Sequence, residues 1–277
     1  MSAVTDHDAQ PDIEHETAHD TQHDGEHDGE HEAARDSARV ADQAVAEPDQ
    51  DDDDDLSLPA WLRRTEGEQR WSVMIALLVA IAIQLSLPER LSIHPQWLMP
   101  ALEMALIVAL VAANPHRRMP ASPAAKVRIM SLLLACAVSL ANAWSAVMLV
   151  RDLIHGSQGI TPVQLLMTGA GIWITNIIAY SLWYWEWDRG GPVLRAMGTH
   201  KHPDFLFPQM QQEGIARPDW EPQYVDYLYV AFTNATSFSP TDTMPLSRWA
   251  KLLMASQSLV SLLTLALVIA RAVGVLQ

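Results

Sequence analysis

Residues 160–185 read ITPVQLLMTGAGIWITNIIAYSLWYW, 26 positions without one Asp, Glu, Lys, Arg or His. At 1.5 Å per residue a helix of that length reaches about 39 Å, more than the roughly 30 Å hydrocarbon core of a bilayer. The stretch therefore predicts a transmembrane helix. Four more runs of the same character surround it: Trp71 to Leu87, Trp97 to Ala113, Val127 to Val150 and Trp249 to Leu276. Charge enters them only at Glu103, Arg128, Lys251 and Arg271. The fold class read from this pattern is all-α, an integral membrane bundle of five spans, or six if the segment Tyr224–Thr236 also crosses.

The rest of the chain has the opposite composition. Residues 1–56 hold 20 of the 33 acidic side chains against Arg35 and Arg39, and contain no Trp, Phe or Tyr. This tail carries −18 and the remaining residues carry +3, so the net charge of −15 describes the tail and not the body. Such a segment cannot bury enough apolar surface to offset its ordering entropy, and a disordered acidic tail is expected. Residues 57–70, with Trp61 beside Arg63 and Arg64, suit a membrane interface. Four transmembrane helices are expected within 71–185, a polar loop at 186–221, and a distinct module at 222–277. One cysteine, Cys136, excludes an intramolecular disulfide. A barely basic body behind an acidic tail argues against nucleic acid.

Positive charge in short loops sets orientation. With the tail in the cytoplasm the inside carries Arg63, Arg64, Arg70, Arg117, Arg118, Lys126, Arg128, Arg189, Arg195, Lys201, Arg217, Arg248 and Lys251, against Arg90, Arg151 and Arg271 outside. A multi-pass protein of the cell membrane with a cytoplasmic tail is the expectation.

Several helices carry polar stripes. Gln164, Thr168, Gly171 and Thr175 share one face, as do Gln257, Ser261 and Thr264. Small and polar residues on one stripe usually mean helix-to-helix packing, with a polar pathway as the sharper alternative. Glu103 stands apart, because a carboxylate inside an apolar span is costly and is a functional candidate by default. The competing reading is that it snorkels to the outer interface from a position near Trp97.

The C-terminal module reads YVDYLYVAFTNAT at 224–236, then SFSPTDTMP at 237–245, then the last apolar run. A 13-residue helix spans only about 20 Å, too short for a comfortable crossing. Short helix, extended stretch and long helix is the order of a re-entrant pore loop. Thr236-Ser-Phe-Ser-Pro-Thr-Asp242-Thr-Met-Pro245 resembles the potassium-channel filter pattern T-T-V-G-Y-G-D-x-x-P, with Thr, Asp and Pro at matching offsets. Ser239-Pro240-Thr241 replace Gly-Tyr-Gly, so an even ring of carbonyls, and with it potassium selectivity, is not expected. The resemblance implies Thr236, Ser237, Phe238, Ser239, Thr241 and Asp242 as an ion pathway, with Glu103 as a further candidate, small cations as the permeant species and several copies around an axis. Residues 160–276, with an aromatic helix end, a Gly-Gly turn and Asp226 to Phe232, also resemble an uncharacterised family of bacterial multi-pass membrane proteins that is weakly channel-like.

His15, His19, His23, His27 and His31 recur every four residues among acids, a spacing that on a helix would suit a divalent metal. The competing reading is a polar repeat without a ligand. No HExxH, GxSxG, phosphate loop or dinucleotide turn is present, so no enzyme is expected. The functional expectation is a channel-like oligomer in lipid. Its alternative is a non-conducting scaffold or accessory protein whose tail binds metal or a basic partner.

Overall fold

A computed structural model of the chain describes residues 58–113, 121–155, 161–200, 202–212, 214–236 and 242–275. Its elements in chain order are α1 Trp71–Ser86, α2 Leu98–Ala113, α3 Ala121–His155, α4 Pro162–Trp187, α5 Pro192–Ala196, β1 Phe205–Leu206, α6 Tyr224–Thr236, β2 Met244–Pro245 and α7 Arg248–Val275. The acidic tail, with its five spaced histidines, lies outside the described residues.

The helices start and stop where local chemistry directs. Leu87 leaves the helical region at the end of α1, directly before Pro88. Pro100 falls in the first turn of α2, where its missing N–H is not needed. Thr161 and Gln164 form a reciprocal capping box at 3.2 Å in each direction, with Pro162 opening α4. Gln164 is thus spent on a cap rather than on the polar stripe expected of it.

Three helices contain stretches long and apolar enough to cross a membrane: Ala125–His155, Val163–Gly190 and Arg248–Ala270. α1 and α2 are apolar but only 16 residues each. That is about 24 Å, under the usual hydrocarbon thickness. Exposure runs opposite to that of a water-soluble bundle. Leu252, Leu259, Leu262 and Ile269 of α7, like Val108 and Val111 of α2, face outward. Gln84, Glu103, Asn142, Asn176, Gln257 and Ser261 are buried. Apolar surface on this scale is what a lipid environment calls for.

α4 lies at the centre, packed against α7, α6, α3 and α1. Small residues set the approach of its neighbours: a side chain at Gly171 would meet Ile83 of α1 at 3.0 Å, and one at Gly169 would meet Val268 of α7 at 2.7 Å. Of the stripe containing Thr175, Gly171 thus packs against α1.

The segment around α6 enters and leaves at one end of this bundle. The first N–H of α6, from Tyr224, binds Glu68, and the Tyr227 hydroxyl binds Asp188, just beyond α4. Further along, Phe232 meets the ring of Trp173 edge-on at 6.1 Å. Trp173 lies about 20 Å back along α4 from its Trp187 end. The chain then returns, because Leu206 pairs with Met244 and Phe205 with Pro245 in a two-residue antiparallel ladder. Leu246 N–H also donates to Asp204 O at 2.8 Å, and Asp204 sits on the same Asp188. α6 does not run from one end of the bundle to the other. Among the described residues, this two-residue ladder is strand structure that an all-α reading omits.

Candidate functional site

Of the residues expected to line an ion pathway, Thr236 and Asp242 lie among the described residues. Thr236 ends α6, half-buried, its hydroxyl donating to Thr233 O at 2.9 Å, and Asp242 is exposed where the described chain resumes. Ser237, Phe238, Ser239 and Thr241 lie outside the described residues. Glu103 sits elsewhere. It is fully buried on α2, and Gln84 Nε2 of α1 donates to its two oxygens at 3.0 and 3.2 Å. It therefore does not snorkel. Among the described residues no group of three or more His, Cys, Asp or Glu is placed to hold a metal.

What positions the segment is a chain of amides and hydroxyls within the bundle. Tyr184 donates to Gln257 Oε1 at 2.6 Å, and Asn234 Nδ2 donates to the same oxygen at 2.7 Å and to Met254 O at 2.8 Å. Gln257 Nε2 returns a bond to Ala231 O at 2.8 Å, and Ser258 donates to Asn234 Oδ1 at 3.0 Å. Nearer the other end of α4, Asn176 donates to Ser261 at 3.0 Å. Gln257 and Ser261, on the polar stripe read from the last span, thus bind α4 and α6.

The end of the bundle where α6 enters is the most highly charged buried region among the described residues. Asp188 Oδ1 accepts the N–H groups of Asp204 and Phe205 at 2.8 and 3.3 Å, and its Oδ2 accepts the Tyr227 hydroxyl at 2.5 Å. Asp204 in turn accepts the N–H of Arg189 at 3.0 Å and the indole N–H of Trp249 at 2.9 Å. Arg195 donates to the Trp185 and Asp188 carbonyls at 2.6 and 2.9 Å, and lies over the rings of Trp185 and Tyr227. Arg189, held at φ 53°, donates to His200 O and Trp61 O.

Glu68 binds from the segment before α1, accepting Tyr224 N–H and Trp185 Nε1–H at 2.8 Å each and the Ser72 hydroxyl at 3.1 Å. Burial pushes its carboxyl above the ordinary range, against these donors and the nearby Arg195 charge.

Sequence reading assigned Glu186 onward to a polar loop and missed this cluster. The signal was present in Trp185-Glu-Trp-Asp-Arg-Gly-Gly191, where charges alternate with tryptophans at a helix end. Chemically the arrangement clamps: Asp188, Asp204 and Glu68 are occupied by backbone and aromatic donors and, at Glu68, by the Ser72 hydroxyl. The chain matches no family model, no curated protein and no solved structure.

Proposed function

We propose that the protein is a multi-pass membrane protein in which α1, α2, α3, α4 and α7 cross the bilayer while α6 dips in. Copies assemble around an axis into a channel-like protein that passes small cations passively and without potassium selectivity. The observation that carries this reading is that α6 goes part-way into the bundle while Met244 and Pro245 stand at the end where α6 begins. Irregular backbone at depth is tolerated where protein or water surrounds it, and such a tip can present oxygen ligands to an ion. Thr236 ends α6 and Asp242 stands two residues before the ladder at Met244, on either side of residues 237–241 in the chain. Arg63, Arg64, Arg70, Arg189 and Arg248 lie around the end where it enters, so the positive-inside rule assigns that end, and the tail, to the cytoplasm. The loop is then inverted relative to potassium channels.

Planar-bilayer recording of the purified chain tests this. Cation conductance with little discrimination between potassium and sodium, reduced by Asp242→Ala with Thr236→Ala, is the expected result. Silence of the wild type, or currents indifferent to the double substitution, overturns it.

One observation favours a second reading, a non-conducting scaffold or accessory protein. The Asn234, Gln257 and Tyr184 side chains bind one another rather than an open path. Under that reading the acidic tail is the working part, taking a divalent metal through His15, His19, His23, His27 and His31 or a basic partner. A monomer in detergent together with zinc binding by the full chain is its signature.

A further inference from the structure

The outward side of α6 changes character along its length. Val225, Tyr229, Phe232, Thr233 and Thr236 fall at i, i+4, i+7, i+8 and i+11, one stripe of the helix. The first three are exposed and the two threonines are half-buried. Apolar and aromatic groups thus give way to hydroxyls over the last turn.

Both hydroxyl protons are already engaged. Thr236 Oγ1 donates to Thr233 O at 2.9 Å, and Thr233 Oγ1 donates to Tyr229 O at 2.9 Å, with Val230 O at 3.1 Å. A hydroxyl has one proton and two lone pairs, so a threonine whose proton is turned back onto its own helix offers only acceptor oxygen outward. Residues three apart on a helix are neighbours, with Cβ atoms about 5–6 Å apart. None of residues 227–236 is charged. Two neutral oxygens at that spacing suit a small monovalent cation that has shed part of its water, whereas a divalent ion calls for carboxylates.

The opposite side of the same turn is fastened. Asn234, between the two threonines in the chain, is bound to α7 through Gln257, Met254 and Ser258. Gln257 Nε2 returns a bond to Ala231 O, and Ser258 also donates to Asn234 O at 3.2 Å. Gln257 has no exposed surface. Side-chain bonds from α7 therefore hold the last turn on one side and fix the two threonine oxygens on the other.

We infer that Thr233 joins Thr236 as an oxygen ligand of the ion pathway, the pair receiving a small monovalent cation, with Asn234 and Gln257 as positioning residues that hold the turn. This rests on the permeation reading and extends it to a residue that lies before the filter-like stretch 236–245. The amide chain among Asn234, Gln257 and Tyr184 then belongs to the frame of the pathway.

Planar-bilayer recording of the full chain tests the ligand role. Thr233→Val keeps the shape and removes the oxygen, and unit conductance for potassium and sodium should fall about fivefold, the effect of losing one contact of hydrogen-bond strength. Thr233→Ser, which keeps the oxygen, should recover most of the loss. Thr175→Val is the control: that hydroxyl also turns back onto its helix, donating to Gly171 O at 3.0 Å, but the residue is 1% exposed, and conductance should not change. Thr233→Ala supplies a second oxygen-free variant, and melting temperatures in detergent report the folding of each. Conductance unchanged in the oxygen-free variants overturns the inference, as does an equal loss in Thr175→Val or in Thr233→Ser. A wild type without current overturns the permeation reading and the ligand role together, whereas a conducting wild type indifferent to Thr233 overturns the ligand role alone.

Discussion

The Glu68 carboxylate accepts the backbone N–H of Tyr224 at 2.8 Å, so a residue 156 positions earlier in the chain closes the first turn of α6. Its other oxygen takes the indole N–H of Trp185 at 2.8 Å. A negative group at a helix N-terminus satisfies orphan donors and complements the helix dipole. The segment before α1 is thus part of the mounting of α6. Because Tyr224, Trp185 and Ser72 are all donors to Glu68, an amide at position 68 leaves one of them facing a second donor. Glu68→Gln should cost about 1–3 kcal/mol, read as a lower melting temperature in detergent.

The same residue gives a pH dependence. Burial raises the folded Glu68 pKa above 4.5, so the folded protein holds the proton more tightly than the unfolded chain. This contribution is fully present below the unfolded value and is lost as pH rises through the folded one. The melting-temperature gap between wild type and Glu68→Gln should therefore widen from neutral pH toward 4.5. A gap that narrows on acidification would count against the assignment.

Sidedness provides a second check on the course of residues 224–245. Arg64 and Asp242 are both exposed, and both lie at chain positions next to the end where α6 enters. In a Cys136→Ala background, Arg64→Cys and Asp242→Cys should react with a membrane-impermeant maleimide from the same side. Labelling from opposite sides would mean that α6 crosses.

How far the sequence reached depends on whether a feature is local. Uncharged runs are local, so α3, α4 and α7 were legible, and so was the short helix 224–236 with its non-periodic continuation. The stripe Gln257, Ser261, Thr264 was legible as a face, since helical spacing places those residues together. The clamp was not legible. Asp188, Glu186 and Arg195 stand in a stretch that reads as solvated loop, and the groups that make their burial tolerable lie far off in the chain: Asp204 and Tyr227 are 16 and 39 positions from Asp188, and Arg70 is 116 from Glu186. Glu103 was ambiguous for the same reason: Gln84, which decides between burial and snorkelling, belongs to another helix.

The Gly-Gly turn can be tested by its backbone alone. Gly191 sits at φ 99°, a region that side chains avoid, with the Glu186 carbonyl oxygen 2.9 Å from where a Cβ would stand. Gly214 also has positive φ, 85°, but nothing lies within 4 Å. Gly191→Ala should cost about 1–3 kcal/mol through strain and displacement of the α4 end, and Gly214→Ala distinctly less. Melting temperatures of the two variants compare them directly, and equal losses would show that the close approach to Glu186 contributes nothing.

Glu103 and Gln84 close the account of buried polar groups in the apolar region. Gln84 Nε2 donates to both Glu103 oxygens, and Glu103 has no exposed surface. Glu103→Gln retains a carbonyl acceptor for that donor, so stability should change by less than about 1 kcal/mol. Glu103→Leu removes the acceptor and strands the Gln84 amide, at a cost of about 1–3 kcal/mol. If the melting temperatures of the two variants do not separate in this order, the hydrogen bond is not what holds α1 to α2. Glu103→Gln, which removes only the charge, then becomes the variant to record in bilayers. A fall in current with unchanged melting makes the carboxylate part of the ion pathway, whereas unchanged current leaves it as the polar link between two helices.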